Sequence, residues 1–262
     1  MTDRDLETEL LAIARDAARA AAAELMPRFG TIHETRAKSS PTDLVSDTDV
    51  AAETAIRQVL GERRPQDAIL GEEGGATGDG ELRWVIDPLD GTTNFLFGVP
   101  QFAVSVACED RDGALAGVVL DPVRDEIFTA TRSGPAQLDG APIAGSDRDD
   151  LAIALIATGF GYEAEVRAGQ AEVLARVLPR VRDIRRAGAA ALDLAWCACG
   201  RYDGYWERGV KPWDVAAGGL IAARAGLSLA RLPERGADPA GLLAAPAAVL
   251  DELLALVLGE TA

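Results

Sequence analysis

This sequence predicts an α/β fold in which helices alternate with short buried strands around one antiparallel run. Three observations predict it. Apolar residues recur at helical spacing over residues 5–26, where Leu6, Leu10, Ile13, Ala17 and Ala21 form one stripe. From Phe102 to Cys108, Ala114 to Leu120 and Glu126 to Ala130 the period falls to two, with Asp-Gly and Asp-Pro punctuation, as in an antiparallel meander. Short apolar runs, Ala68 to Leu70 and Trp84 to Ile86, end in the carboxylates of Glu72 and Asp87, which places acid at strand ends.

In chain order, the first helix is closed by Pro27 and Gly30. Thr31 to Val45 is polar and aperiodic, an exposed loop with Lys38 near its middle; so long a loop in a compact domain is commonly functional. Asp47, Thr48 and Asp49 open a second helix whose Ala52, Ile56, Val59 and Leu60 face inward, and both acids can serve as helix-start charges. A strand at Ala68 to Leu70 runs into Gly71-Glu72-Glu73-Gly74-Gly75, and residues 76–81 link it to the next strand. That strand, Trp84 to Ile86, delivers Asp87 and is ended by Pro88, which lacks a backbone donor.

Asp90 then takes the N-cap position of the next helix, with Gly91 and Thr92 as its first amides. Asp87 and Asp90 lie three apart across the turn, so both can face one pocket. The Leu89 carbonyl, with no ladder partner, offers a third oxygen. Gly91 has no Cβ to keep a phosphate oxygen away. The same residues also make an ordinary Asp-Pro turn before an Asp-capped helix.

Beyond the meander the pattern gives a strand over 151–157, a helix from about Glu163 to Leu178 and a strand from Val181 to Ile184. An Ala- and Leu-rich helix follows from Gly188 to Cys199, then a strand from Tyr202 to Glu207. Lys211-Pro212-Trp213-Asp214 starts a helix running through Ala225. Strands near 227 and 243 and a helix from Ala247 to Leu258 close the chain.

With 262 residues, 48% apolar and 26% charged, the chain can form one elaborate domain or two joined halves, about 1–145 and 146–262. A net charge of -16 argues against a nucleic-acid surface, which needs phosphate-neutralising cations. The opening residues show no basic stretch before an apolar core and no apolar run reaches membrane-spanning length, so neither a signal peptide nor a span is expected, and the odd count of three cysteines suits reduced thiols in the cytoplasm. Cys197 and Cys199, two apart on a helix, read as packing residues. His33 is the single histidine, in a polar loop, so a histidine-based triad or zinc site has little to rest on. Chemistry falls to carboxylates, hydroxyls and metal. Glu72, Asp87 with Asp90, Asp214, and the Asp47/Asp49 pair each sit at a strand end or helix start. Were they to converge, the pocket would need cations, and an all-oxygen set points to Mg²⁺ and not zinc.

Taken together, these motifs resemble the inositol monophosphatase family of Mg²⁺-dependent, lithium-sensitive phosphatases. They are Lys38-Ser39-Ser40-Pro41-Thr42-Asp43-Leu44-Val45, Thr48-Asp49, Gly71-Glu72-Glu73, Trp84 through Phe95, and Trp213-Asp214-Val215-Ala216-Ala217-Gly218, in the family's order. The resemblance implies a layered αβαβα sandwich, usually a homodimer, acting on a small phosphorylated polyol. It implies two to three Mg²⁺ ions per site. Glu72, Asp87 and the Leu89 carbonyl would hold the first, Asp87, Asp90 and Asp214 the second. Glu72 would share a weaker third with the loop carrying Lys38.

The resemblance also implies that the Gly91 and Thr92 amides bind phosphate and that the Thr92 hydroxyl and Asp49 activate the attacking water. Glu207 matches the family's ligand for inositol hydroxyls, and Gly188, Ala189 and Ala190 line the sugar. Ala189-Ala190 stands where the family commonly has Thr or Ser, a departure that bears on the polyol contacts. Histidinol phosphate, fructose bisphosphate and 3'-phosphoadenosine 5'-phosphate, hydrolysed by relatives, are the alternative substrates. A non-catalytic regulator built on the same scaffold is a third reading.

Overall fold

The computed structural model describes residues 2–31, 35–37 and 44–260. Helix α1 (Asp3–Leu25) opens with a capping box: the Thr2 hydroxyl accepts from the Asp5 amide, and the Asp5 carboxylate accepts from the Thr2 amide. A two-stranded antiparallel ribbon, β1 (Thr35–Ala37) with β2 (Leu44–Ser46), precedes α2 (Asp47–Arg63). The stretch expected to be a structureless loop therefore carries strands at both described ends. Lys38 and His33 lie outside the described residues.

Eight strands form the first sheet: β3 (Ala68–Gly71), β4 (Gly75–Thr77), β5 (Arg83–Asp90), β6 (Ala103–Asp110), β7 (Gly113–Asp121), β8 (Glu126–Thr131), β9 (Gln137–Leu138) and β10 (Ala141–Pro142). Their order is β10-β9-β8-β7-β6-β5-β3-β4, the β6–β8 meander being antiparallel and β3 lying parallel to β5. The short helix α3 (Thr92–Leu96) follows β5. A second sheet of five strands has the order β12-β11-β13-β15-β14, made of β11 (Leu155–Thr158), β12 (Asp183–Arg185), β13 (Gly204–Arg208), β14 (Ser228–Leu232) and β15 (Gly241–Ala245). Helices α4 (Ala164–Val177), α5 (Ala190–Ala198), α6 (Pro212–Arg224) and α7 (Ala247–Leu258) complete the chain.

Apolar faces stack these elements into five layers. Leu10, Ile13 and Ala17 of α1 and Ile56 of α2 cover one face of the large sheet, against Ile86, Val106 and Val118. The opposite face, through Ala107, Val119 and Phe128, meets Ala191 and Leu192 of α5 and Ala217 and Ile221 of α6. Leu194, Cys197 and Ala222 of those two helices turn to Ala157, Tyr205 and Ala244 of the small sheet. Val173 of α4 and Val249 and Leu253 of α7 close its far side. The result is the expected αβαβα sandwich. Its central helix layer is tight: a Cβ on Gly117 would lie 3.0 Å from the Ala217 Cα, and one on Gly218 would lie 2.9 Å from the Leu194 Cβ.

Several boundaries differ from expectation. Strand β5 does not stop at Pro88 but runs to Asp90. The β5–β6 register shifts between Asp87 and Asp90, so the proline falls at an irregularity where no ladder donor is required. Residues 151–153 form a 3₁₀ turn capped by Asp150, and the strand begins at Leu155. Part of the 76–81 linker belongs to β4, the return strand of a hairpin.

Candidate active site

Parallel pairing brings the first two carboxylates together. Ala68, Ile69, Leu70 and Gly71 lie opposite Arg83, Trp84, Val85 and Ile86, and the Glu72 amide donates to the Ile86 carbonyl at 3.3 Å. The next residue of each strand, Glu72 and Asp87, therefore faces one cavity of about 420 Å³. Leu89, Asp90, Gly91, Thr92, Gly188, Ala190, Glu207 and Asp214 line it as well. Asp87 folds back to accept from the Leu89 amide at 3.0 Å. Asp214, in the first turn of α6, accepts from the Lys211 amide at 2.6 Å.

Asp90 is the largest departure from the sequence reading. The N-cap of α3 is Gly91, at φ 96°, and no side chain caps it. The Asp90 carboxylate instead reaches the start of α5, accepting from the amides of Ala190 at 3.0 Å, Ala191 at 2.8 Å and Leu192 at 3.4 Å. A helix start attracts a carboxylate from anywhere in the chain that the fold brings near. Helix α5 accordingly begins at Ala190 and not at Gly188, which sits at φ 91° with Ala189 extended after it; Ala189, expected to line the sugar, is instead 1% exposed and packs in the core against the large sheet.

The Leu89 carbonyl is also not without a partner. The Thr92 hydroxyl lies 3.1 Å from it and 2.9 Å from the Asp49 Oδ1, so its single proton is shared between the two. Asp49 is fully buried, whereas Asp47 is exposed. The acidic pair thus divides: Asp49 meets the site and Asp47 opens the helix.

Burial and mutual repulsion favour the protonated form of these acids. Asp87 is pushed well above the usual carboxylate range by burial, then by the charges of Glu72, Asp90 and Asp214. Burial raises Asp214 to about 8, with Asp90 adding to it. Burial also raises Asp90 to about 7, against the opposing pull of the Ala191 amide. Glu207, half-buried, is raised to about 7 by desolvation and then Asp214, with Arg186 opposing; its Oε2 accepts from the Tyr205 hydroxyl at 3.1 Å.

Among the described residues no three His, Cys, Asp or Glu side chains are already drawn into a closed shell around a point. The acids line one cavity, where the Glu72 and Asp87 side chains meet and backbone amides hold Asp87, Asp90 and Asp214. Their chemistry nevertheless fits a hard divalent cation: every donor is an oxygen, and a positive charge among them would relieve the repulsion that raises Asp87 and Asp214. Glu72, Asp87, Asp90, Asp214 and the Leu89 carbonyl are the residues that would hold it.

The fold adds three residues that the sequence reading passed over. Asn94 fixes the turn before α5, its Nδ2 donating to the carbonyls of Gln101 at 2.6 Å and Ala187 at 2.8 Å. Arg186 and Lys211, both exposed, bring positive charge to the cavity wall. Their signal was available: each cation stands beside an acidic or glycine motif in a chain whose net charge is -16.

The Inositol monophosphatase family matches residues 6–258. Inositol-1-monophosphatase SuhB of Mycobacterium tuberculosis (strain H37Rv) is 45% identical over 231 residues, 84% of this chain and 80% of that protein. A Pseudomonas aeruginosa protein named Nus factor SuhB is 48% identical over 195 residues, 70% of each. Among solved structures, the extragenic suppressor protein suhB of Bartonella henselae matches with a TM-score of 0.87 at 36% identity, covering 94% of this chain and 97% of that one. Layered sandwich, carboxylate-lined cavity and relatives together define a phosphatase. The chain belongs to the inositol monophosphatase family.

Proposed function

We propose that the protein is a Mg²⁺-dependent phosphomonoesterase acting on inositol monophosphate or a similar polyol phosphate. The observation that supports it most is the meeting of Glu72, Asp87, Asp90 and Asp214 with the Gly91–Thr92 turn at one cavity. Two to three bound Mg²⁺ ions would supply charge neutralisation for the phosphate and activation of water. The chain supplies the rest. Asp49 orients the Thr92 hydroxyl, which would accept a proton from the attacking water while passing its own to the Asp49 carboxylate, as the P–O bond to the leaving alcohol breaks. The Gly91 and Thr92 amides meet phosphate oxygens, and Gly91 is held in place by its φ of 96° and by packing in which a Cβ would fall 3.0 Å from the Gln101 carbonyl and 3.2 Å from the Gly188 carbonyl. Asp90 keeps the start of α5, and so Gly188 and Ala190, against the leaving alcohol. Glu207 accepts from its hydroxyls.

In this reading residues 1–145 carry most of the metal and phosphate contacts and 146–262 the substrate contacts. The working unit is a cytoplasmic homodimer. Glu72 would share the weaker third ion with the loop in which Lys38 lies. Among the described residues, no helix is long and apolar enough to cross a membrane.

The test is phosphate release from a panel of phosphomonoesters: inositol phosphate, histidinol phosphate, fructose bisphosphate, 3'-phosphoadenosine 5'-phosphate and nitrophenyl phosphate. Release should require Mg²⁺ and be inhibited by Li⁺ and Ca²⁺. Turnover that survives exhaustive chelation overturns the metal reading. The name Nus factor, carried by the Pseudomonas relative, favours a second role as a component of a macromolecular assembly. A pull-down that recovers a stoichiometric partner from lysate, with no phosphate release, would give that role precedence.

A further inference from the structure

Glu53 lies on α2, one turn past Asp49, and is buried at 3% exposure in a place that neither the motifs nor the proposed chemistry uses. Its carboxylate faces the turn between β3 and β4. Oε2 accepts from the Glu73 amide at 2.8 Å, and Oε1 accepts from the Gly74 amide at 2.8 Å. These are the two amides that follow Glu72. Arg57, four residues on, holds Oε1 through its Nε at 2.7 Å. The same guanidinium donates to the Gly75 carbonyl at 2.8 Å and to the Thr77 hydroxyl at 3.0 Å.

The turn is shaped to admit this carboxylate. A Cβ on Gly71 would fall 2.5 Å from Glu53 Oε1, and one on Gly74 would fall 2.7 Å from it and 2.9 Å from an Arg57 nitrogen. Both glycines lie outside the left-handed region, so it is the approach of Glu53, not backbone conformation, that excludes a side chain. Glu72 is anchored on one side by its amide on Ile86 and on the other by the clamped amides of the next two residues.

We infer that Glu53, backed by Arg57, is a positioning residue that sets the Glu72 carboxylate for divalent-cation binding. It touches neither substrate nor reacting atoms. Its work is to fix a turn that, in a two-stranded hairpin at the sheet edge, would otherwise be loosely held. The inference rests on the proposed metal reading of Glu72, and the test separates the two.

Magnesium binding is measured by isothermal titration calorimetry on the full chain without substrate, beside thermal unfolding in chelator and the Mg²⁺ dependence of phosphate release. Glu53→Gln keeps the size but leaves one oxygen to accept from two amides. Metal affinity should fall about 10- to 100-fold, as for other partners that orient a ligand from behind. Saturating Mg²⁺ should restore most of kcat. Gly74→Ala, in an exposed turn, should give the same loss of affinity by pushing the turn off an intact Glu53, and it decides the matter if Glu53→Gln does not fold. A folded variant with wild-type Mg²⁺ affinity overturns the inference, as does loss of kcat at every Mg²⁺ concentration. If wild type binds no Mg²⁺ and releases phosphate without it, the proposed function has failed instead.

Discussion

Glu207 and Asp90 each do at residue scale something that a motif position leaves undetermined. Glu207 sits on β13 and lines the cavity, with one oxygen accepting from the Tyr205 hydroxyl. Glu207→Gln keeps the size and loses charge-assisted bonds, which are about twice as strong as neutral ones. For inositol phosphate, kcat/KM should fall by about 1–3 kcal/mol of transition-state binding, while nitrophenyl phosphate hydrolysis stays nearly unchanged. Equal losses on both would make Glu207 a support of the fold. Asp90 carries two duties, since the carboxylate proposed to hold metal also receives three amides of α5. Asp90→Asn turns an amide group toward one of those donors. It should abolish turnover and also cost about 1–2 kcal/mol in denaturant unfolding, the loss of a helix cap. A variant that is inactive at full wild-type stability would show the capping contacts to be energetically idle.

Helix α6 is the element on which the site's precision depends. It carries Asp214 in its first turn and packs on the large sheet beside α5, close enough to both that Gly117 and Gly218 have no room for a Cβ. Gly218→Ala should force the α5–α6 crossing apart, costing about 1–3 kcal/mol as overpacking does. It should also lower Mg²⁺-dependent activity more than an equally destabilising change on α7 far from the site; parity between the two would refute the claim.

At this scale the sequence was most legible where periodicity is strong. The α1 stripe, the β6–β8 meander and the extent of α7 follow from spacing alone. It was least legible where long-range hydrogen bonds override local chemistry. Asp90 has the residue type and place of an N-cap for α3, yet three amides some hundred positions away are better placed to receive it. Pro88 reads as a stop because propensity cannot announce a strand irregularity. The acids of the site were legible as residue types. Their gathering depends on Gly71 opposing Ile86 in a parallel pair, which no local signal gives.

The whole molecule keeps buried acid at the seam between its two sheets. Asp193 of α5 is fully buried, and burial followed by the Glu207 charge raises it well above the usual range. Among the described residues neither of its oxygens has a hydrogen-bond partner. Glu207 is raised from 4.5 to about 7. A carboxylate raised on folding favours the native state in its protonated form. That stability is present below the unfolded value and is lost as pH climbs to the folded one. In chelator, the melting temperature should therefore decline as the pH is raised from about 4.5 to about 7. Added Mg²⁺ should oppose the decline by binding only the native state. A melting temperature flat across that window would show that these acids find compensating partners in solution.

The Asp90 contact with α5 also sets an order of events in time. It joins residues 100 positions apart, across a boundary between sheets that each form largely from nearer neighbours. Contacts of such separation close late, because their loop entropy is repaid only once the flanking structure exists. A chain refolding from denaturant should regain its far-ultraviolet dichroism before it can turn over phosphate. The lag measures how long the molecule spends as two finished sheets that have not yet joined.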